Sequence, residues 1–328
     1  MYNFNPLFKV IACINQKGGV GKTSVAAILS EYLAFRDLRV LLVDLDMQCN
    51  SSDHWIGMEA ARNKVGGQLP PVHPEYTEED EHWLCARSTI ADIFDGKGVL
   101  PWPTYIQPEE DDDENIINPG MVDIMLGHPE KLEKINTTFA HSESEMDDKV
   151  INQLLRFLQK EEVQDSYDVV ILDTGPSRSP IFRAAVRAAT HIVVPFEPEV
   201  KSLQGINAML QVREQENYHE LRSEGNKLQL VGLLPNKVRM STSLHRKELA
   251  KMYKEMPAIM MPKDIYLPLS TDFPKRDVKE ASPKSVFALP SSNKARFHAD
   301  KVCETIFNKV WSSNEQQQLA SINEVEYA

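Results

Sequence analysis

A glycine-rich segment near the N-terminus constrains this chain more than any other feature. Residues 17–23 read Lys-Gly-Gly-Val-Gly-Lys-Thr, and they lie between an apolar run at 9–14 and a segment at 24–35 whose apolar residues have helical spacing. A buried strand, a glycine-rich loop and an amphipathic helix in this order are typical of a phosphate-binding loop. The alternative, a glycine-rich turn that binds nothing, does not explain the flanking pattern.

The residues of this loop have separable roles. Backbone N–H groups would form a nest for phosphate oxygens, which a Cβ atom would block, and the helix N-terminus adds positive potential. Lys22 would bring its charge to the β and γ phosphates, and the Thr23 hydroxyl would ligate Mg²⁺. ATP and Mg²⁺ are therefore the expected cofactors. The predicted nucleotide-binding residues of the loop are Gly18, Gly19, Val20, Gly21, Lys22, Thr23 and Ser24.

Further apolar runs alternate with helical patterns. The runs cover residues 39–44, 169–173, 191–195 and 228–234, and the helical patterns cover 151–159, 181–189, 203–213 and 243–253. Fully apolar strands are typical of parallel sheets that helices cover on both faces. We predict an α/β fold, a doubly wound and mostly parallel sheet flanked by helices.

The alternation of apolar runs and helical patterns is weaker at residues 59–149, where turn-forming residues and an acidic run at 109–114 replace it. From Glu59 to Asp165 the chain has 24 acidic and 9 basic residues, so the net charge of −12 originates there. We predict one P-loop ATPase domain over residues 1–315, an acidic insertion at about 59–149 and a loose polar tail at 316–328. Within the insertion, residues 89–94 are typical of a short helix and 121–126 of a strand.

Composition excludes several classes of protein. The four cysteines lack the spacing of a disulfide framework or a zinc site, which fits a reducing compartment. No stretch approaches the roughly 20 apolar residues that cross a bilayer. A cytoplasmic protein without a stable membrane anchor is expected.

Three aspartates stand at predicted strand ends. Asp44 and Asp46 follow the apolar run at 40–43, and Asp173 follows the run at 169–172. Carboxylates beside a P-loop can hold Mg²⁺ and its waters or orient the attacking water. The alternative for each is a helix cap or loop carboxylate.

Lys17 identifies a more specific resemblance. The segment 17–23 has a lysine just inside the loop and Gln16 where the usual P-loop has glycine, and it resembles the deviant Walker A motif of the ParA, Soj and MinD ATPases. This resemblance implies that Lys17 reaches the partner's nucleotide in an ATP-sandwiched homodimer. The alternative is a solvated loop lysine.

The same resemblance assigns the aspartates. Residues 40–50 are similar to the second signature of the family, and 167–176 match its Walker B position. The implied roles are hydrolysis for Asp46, together with Lys17 and Lys22, and metal binding for Asp44 and Asp173, together with Thr23. Met47, Cys49 and Gly175 depart from the usual Pro, Gly and Pro, which leaves the switching of these loops less defined than their chemistry.

Two features of the C-terminal half complete the resemblance. Asn236 occupies the position of an adenine-contacting asparagine, although an asparagine after proline is also an ordinary turn residue. Residues 237–284 hold 11 basic and 6 acidic residues and resemble the nonspecific DNA-binding region of ParA dimers. A solvated charged face is the alternative. The predicted DNA-binding residues are Lys237, Arg239, Arg246, Lys247, Lys251 and Lys254.

The leading hypothesis is therefore a DNA partition ATPase. Its ATP-bound homodimer would bind nonspecific DNA on the nucleoid, and a ParB-like centromere-binding activator would stimulate hydrolysis and release. One alternative is a MinD-like positioning or regulatory switch that acts on a protein machine. The other is a metabolic ligase that activates a carboxylate with ATP, in which Lys17 has no obvious task.

Overall fold

The computed structural model describes residues 4–61, 67–105, 109–110, 116–117, 121–138, 147–273 and 285–326. Its main feature is a seven-stranded sheet with the order β11-β10-β1-β9-β2-β8-β5. The strands of this sheet are β1 (Lys9–Cys13), β2 (Val40–Leu45), β5 (Trp102–Tyr105), β8 (Met121–Met125), β9 (Val169–Thr174), β10 (His191–Phe196) and β11 (Gln229–Pro235). Two short ribbons pair β3 (Glu59–Ala60) with β4 (Gln68–Leu69) and β6 (Glu109–Glu110) with β7 (Ile116–Ile117).

All neighbouring strands of the main sheet run parallel except the edge strand β5, which pairs antiparallel with β8. Successive residues of β1 belong to different clusters, because Val10 and Ala12 pack on one face of the sheet and Ile11 and Cys13 on the other. Burial on both faces explains why these strands are continuously apolar. The predicted α/β fold is confirmed.

Helices cover both faces. They are α1 (Lys22–Ala34), α2 (Asn50–Trp55), α3 (Pro129–Thr138), α4 (Asn152–Leu158), α5 (Glu161–Ser166), α6 (Pro180–Ala188), α7 (Ser202–Asn217), α8 (Ser243–Glu255), α9 (Lys294–Val310) and α10 (Ser313–Glu326). Shorter helical turns lie at Glu78–Asp80, Ile90–Asp95, Asp147–Ile151, Glu224–Asn226 and Val286–Ala288.

The acidic region at 59–149 is not separate from the sheet, since it supplies β8, which pairs with β2, and the edge strand β5. The strand predicted at 121–126 is confirmed as β8. The short helix predicted at 89–94 is a 3₁₀ helix at Ile90–Asp95, which a capping box between Thr89 and Asp92 begins. The acidic run at 109–114 lies outside the described residues except for the backbone at 109–110.

The prediction of a loose tail at 316–328 is wrong for residues 316–326, because the helix α10 occupies Ser313–Glu326. Ser312 and Glu315 form a capping box, with Ser312 N donating to Glu315 Oε2 at 2.7 Å. Glu315 also pairs with Lys9 at 2.6 Å, and Leu319 is buried. One buried leucine and these polar contacts fix a segment whose composition is mostly polar.

Candidate nucleotide site

The carboxyl ends of three adjacent strands meet at one edge of the sheet. Asp173 of β9 lies beside Cys13 of β1 on one side and beside Asp44 of β2 on the other. Asp46 follows β2 by one residue, and the glycine-rich loop follows β1. In an open α/β sheet, ligands bind in the crevice at this edge. The structure thus brings the predicted loop and the three predicted aspartates together.

The loop has the backbone of a phosphate nest. Gly19 and Gly21 have φ angles of 73° and 86°, in the left-handed region that side chains rarely adopt, and Gly21 is the N-cap of α1. A Cβ atom on Gly21 would lie 2.2 Å from Asn236 Nδ2. The glycines therefore permit a backbone path that suits phosphate oxygens at a helix N-terminus.

The two lysines of the loop differ in environment. Lys22 is buried, and its Nζ lies 3.5 Å from the Lys17 carbonyl oxygen. Burial lowers the pKa of Lys22, and Asp173 and Asp46 oppose that shift. Lys17 is partly exposed and forms an ion pair with Glu199 in the loop after β10, which lowers the pKa of the Glu199 carboxyl.

Asp173 is fully buried and has an unused acceptor. Its Oδ2 accepts a hydrogen bond from Ser51 Oγ at 2.9 Å, while among the described residues its Oδ1 has no partner. Burial raises the pKa of Asp173 to about 6, and the hydroxyls of Thr23 and Ser51 oppose that rise. An orphaned buried carboxylate oxygen beside the Thr23 hydroxyl fits a Mg²⁺ ion with its waters.

Asp44 is occupied differently. Its Oδ2 accepts from Ser52 N at 2.8 Å and from Ser52 Oγ at 2.7 Å, and its Oδ1 accepts from Asp46 N at 3.2 Å. Burial, followed by the charge of Asp173, raises the pKa of Asp44 to about 8. In the described part of the chain, no three His, Cys, Asp or Glu residues form a cluster suited to a metal ion. Asp44 thus ties β2 to α2, and the metal role stays a prediction for it.

Asp46 packs directly against the loop after β9. Its Oδ1 accepts from Gln48 N at 3.1 Å, and a Cβ atom on Gly175 would lie 3.1 Å from the same oxygen. Because Gly175 has no side chain, the Asp46 carboxylate can approach the backbone after Asp173. Gly175 is one of the residues that depart from the family pattern.

Asn236 and Lys237 hold the glycine-rich loop from outside. Asn236 Nδ2 donates to Val20 O at 2.7 Å, and Lys237 Nζ donates to Gly19 O at 2.6 Å. Asn236 is buried at the N-terminus of α1, next to Gly21. This places it at the predicted site, and contact with adenine stays a prediction.

The other predicted DNA-binding residues gather on or beside α8. The buried side of this helix carries His245, Leu249 and Met252. Its opposite side is exposed and basic, and Arg239 is exposed in the preceding turn. The exposed basic residues of α8 are Arg246, Lys247, Lys251 and Lys254. Only Lys237 is separate from this face, because its ammonium lies on the loop.

Sequence reasoning missed three residues of the site. Glu199 pairs with Lys17, whereas Ser51 and Ser52 bind Asp173 and Asp44. The serines follow the second motif directly, so their proximity to its aspartates could have been inferred. Glu199 is 182 residues from Lys17, and only the adjacency of β1 and β10 brings them together. Among the described residues, no helix is both long and apolar enough to cross a bilayer.

Comparison with known proteins identifies relatives of this architecture. Residues 8–224 match the model of a family described as an AAA domain. The chromosome-partitioning ATPase Soj of Thermus thermophilus is 31% identical over 226 residues, which cover 68% of this chain and 67% of that protein.

Two solved structures share the fold. The pNOB8 ParA bound to nonspecific DNA has a TM-score of 0.60 and 19% identity, covering 92% of this chain and 98% of that one. Cobyrinic acid a,c-diamide synthase from Mycobacterium smegmatis, with bound ADP and magnesium, has a TM-score of 0.62 and 18% identity, covering 94% of this chain and 96% of that one.

Proposed function

Since the chain belongs to the ParA, Soj and MinD family of P-loop ATPases, we propose that it is a DNA partition ATPase. In this proposal, ATP closes a homodimer that binds nonspecific DNA in the cytoplasm, at the nucleoid. A ParB-like centromere-binding protein then stimulates slow hydrolysis and releases the dimer. The partition role of Soj and the DNA-bound ParA support this choice.

The observation that carries the proposal is the short connection between the loop and the basic face of α8. Asn236 contacts the loop, and α8 begins at Ser243, six residues after Lys237. A change at the loop can therefore be transmitted to exposed lysines and arginines without crossing the core. Such side chains contact DNA phosphates and do not select a sequence.

The nucleotide site has the groups that phosphoryl transfer requires. The loop amides and Lys22 would bind and orient the phosphates, while Thr23 and Asp173 would hold Mg²⁺ and its waters. When bound, Mg²⁺ neutralises charge on the phosphate oxygens. Asp46, buried next to this position, is suited to orient the attacking water.

Lys17 supports a dimer because its side chain is 35% exposed and its ammonium pairs with Glu199, in the loop after β10, and not with a buried aspartate. A lysine in this position can reach the nucleotide of a facing subunit after it leaves Glu199. The ligase alternative has no use for such a residue, and the fold shared with a diamide synthase does not by itself imply its reaction.

We further propose that the acidic region at 59–149 receives a basic segment of the activator. It adjoins the candidate nucleotide site through β8, because Gly127, two residues after the end of that strand, donates its N–H to Ser52 Oγ at 2.8 Å. Complementary charge would speed the encounter and confer selectivity. Deletion of residues 109–114 should then reduce stimulated ATPase activity and leave unstimulated activity intact.

The proposed function is tested by DNA retention at low salt with ATP, with ADP and without nucleotide. Wild-type protein should be retained only with ATP, and an Asp46→Ala variant should stay bound for longer because hydrolysis is slowed. An Asp46→Ala protein that dimerises with ATP yet ignores DNA would refute the partition role and favour a switch acting on a protein machine.

A further inference from the structure

We propose that Lys237 is a positioning residue of the nucleotide site and not a DNA contact. Its ammonium would brace the phosphate-binding loop, so that loss of this lysine weakens nucleotide binding before DNA is involved. The inference rests on the proposed use of this loop for ATP.

The position of Lys237 differs from that of the other five predicted DNA-binding residues. Those five are exposed, whereas Lys237 is half-buried with Nζ 2.6 Å from Gly19 O. Its φ angle of 52° lies in the left-handed region, which is uncommon for a residue other than glycine. Asn236 Oδ1 accepts the Lys237 N–H at 2.8 Å and stabilises this backbone turn. The side chain is therefore directed to the loop by a specific local structure.

Lys237 and Asn236 together hold two consecutive carbonyl groups of the loop. Lys237 binds Gly19 O and Asn236 binds Val20 O. In a trans peptide unit, the carbonyl and the following N–H point in opposite directions. A hold on Gly19 O therefore fixes the direction of the Val20 N–H, and a hold on Val20 O fixes that of the Gly21 N–H.

This arrangement preorganises the donors that phosphate would use. With both carbonyls bound on the outside, the N–H groups of Val20 and Gly21 are directed to the opposite side, into the nest. Without the ammonium, the Gly19–Val20 peptide could rotate about its flexible glycine, and binding would have to order it. The ammonium also adds a positive charge behind the loop. Both effects raise affinity for ATP and for ADP.

The test compares Lys237→Met, which keeps the length of the side chain and removes the donor, with Lys263→Met at an exposed lysine outside the site. Affinities for Mg·ATP and Mg·ADP are measured by calorimetry without DNA. We expect Lys237→Met to weaken both about tenfold, as for loss of one charged hydrogen bond, and Lys263→Met to have no effect. Lys237→Arg should restore most of the affinity, because arginine can also donate to Gly19 O.

Further measurements separate this role from the alternatives. The melting temperature of nucleotide-free Lys237→Met should match that of wild type within about 2 °C, as for a surface substitution. A fall in melting temperature that accounts for the lost affinity, with no rescue by arginine, would overturn the inference. So would unchanged nucleotide affinity with a salt dependence of DNA binding lower by about one phosphate contact per subunit.

Failure of the proposed function gives a different result. If wild type binds ATP but no DNA under any condition, the partition proposal fails while the effect of Lys237→Met on nucleotide affinity still stands. If wild type binds neither ATP nor ADP, both proposals fail.

Discussion

The ammonium of Lys17 and the carboxylate of Glu199 form an ion pair that joins the loop after β1 to the loop after β10. The two side chains are 35% and 43% exposed, so water and salt screen their attraction. An exposed pair of this kind contributes about 0–1 kcal/mol. Lys17 is therefore held in a defined position that it can leave at small cost.

We predict that Glu199→Gln favours the ATP-bound dimer. The neutral amide keeps the shape of the side chain but attracts Lys17 less, so the lysine is more often available to a facing subunit. The dimerisation constant with a nonhydrolysable ATP analogue should improve by up to about fivefold. Analytical ultracentrifugation measures it, with Glu214→Gln on the exposed side of α7 as the control. Weaker dimerisation would mean that Glu199 acts in the dimer itself.

We predict that Gly21→Ala destabilises the nucleotide-free protein by about 2 kcal/mol. The new Cβ would stand 2.2 Å from Asn236 Nδ2, at a left-handed φ, so the bond to Val20 O is lost and the backbone is strained. Gly18→Ala is the matched control, because no atom lies within 4 Å of its added Cβ. Urea unfolding of both variants measures the difference. Equal free energies of unfolding would contradict the close packing of Asn236 on the loop.

We predict a pH-dependent effect of Asp173→Asn. Because the pKa of Asp173 is raised from 3.8 to about 6 by burial, the folded protein retains a proton that the unfolded chain loses. The stability of wild type therefore falls as pH rises from about 4 to 6, and a neutral asparagine removes this loss. Relative to wild type, the variant should therefore gain stability over that range, and it also lacks one of the charges that raise the pKa of Asp44.

Urea unfolding at pH 4.5 and pH 7 without nucleotide measures this gain, with Asp95→Asn at an exposed position as the control. In contrast, Mg²⁺-dependent ATP binding should weaken in Asp173→Asn, since the asparagine lacks the charge that Mg²⁺ requires. A stability difference that does not change with pH would show that Asp173 titrates normally.

We predict that Glu216→Ala is strongly destabilising. Glu216 is buried and accepts hydrogen bonds from Arg187 at 2.8 Å and from Arg222 at 3.2 Å. Arg222 in turn donates to the carbonyls of Val186, Arg187 and Ala189 at the end of α6. Removal of the carboxylate deprives the buried guanidinium groups of Arg187 and Arg222 of this acceptor, which should lower the free energy of unfolding by about 3–5 kcal/mol.

The control is Glu214→Ala, on the exposed side of the same helix, which should change the free energy of unfolding by less than about 0.5 kcal/mol. Similar losses in the two variants would disprove the role of the buried network.

The fold and the centre of the site follow from local sequence patterns. Apolar runs such as 169–172 predict parallel strands because both faces of this sheet are covered. The loop at 17–23 and the aspartates after β2 and β9 predict their own proximity, since the carboxyl ends of parallel strands meet at one edge.

Contacts between distant segments could not be predicted in the same way. The sequence from Lys237 to Lys254 does not distinguish one basic residue from another. In the structure, the left-handed turn at Lys237 places that lysine on the loop, whereas the basic residues of α8 are exposed. The place of β8 in the main sheet was hidden by its acidic surroundings. The capping box of Ser312 and Glu315 was a readable signal for α10, but the docking of Leu319 depends on the tertiary fold.

The most direct test of the central claim is the salt dependence of ATP-dependent DNA binding in wild type and in a Lys247→Ala, Lys251→Ala, Lys254→Ala variant. With ATP, the logarithm of the wild-type affinity should fall steeply and linearly with the logarithm of salt concentration, and the slope of the variant should be smaller by about 0.9 for each lost phosphate contact. Nucleotide affinity should be equal in the two proteins. A wild-type DNA affinity that is independent of salt, or identical slopes in the two proteins, would contradict the proposal that the ATP-bound protein binds DNA through the basic residues of α8.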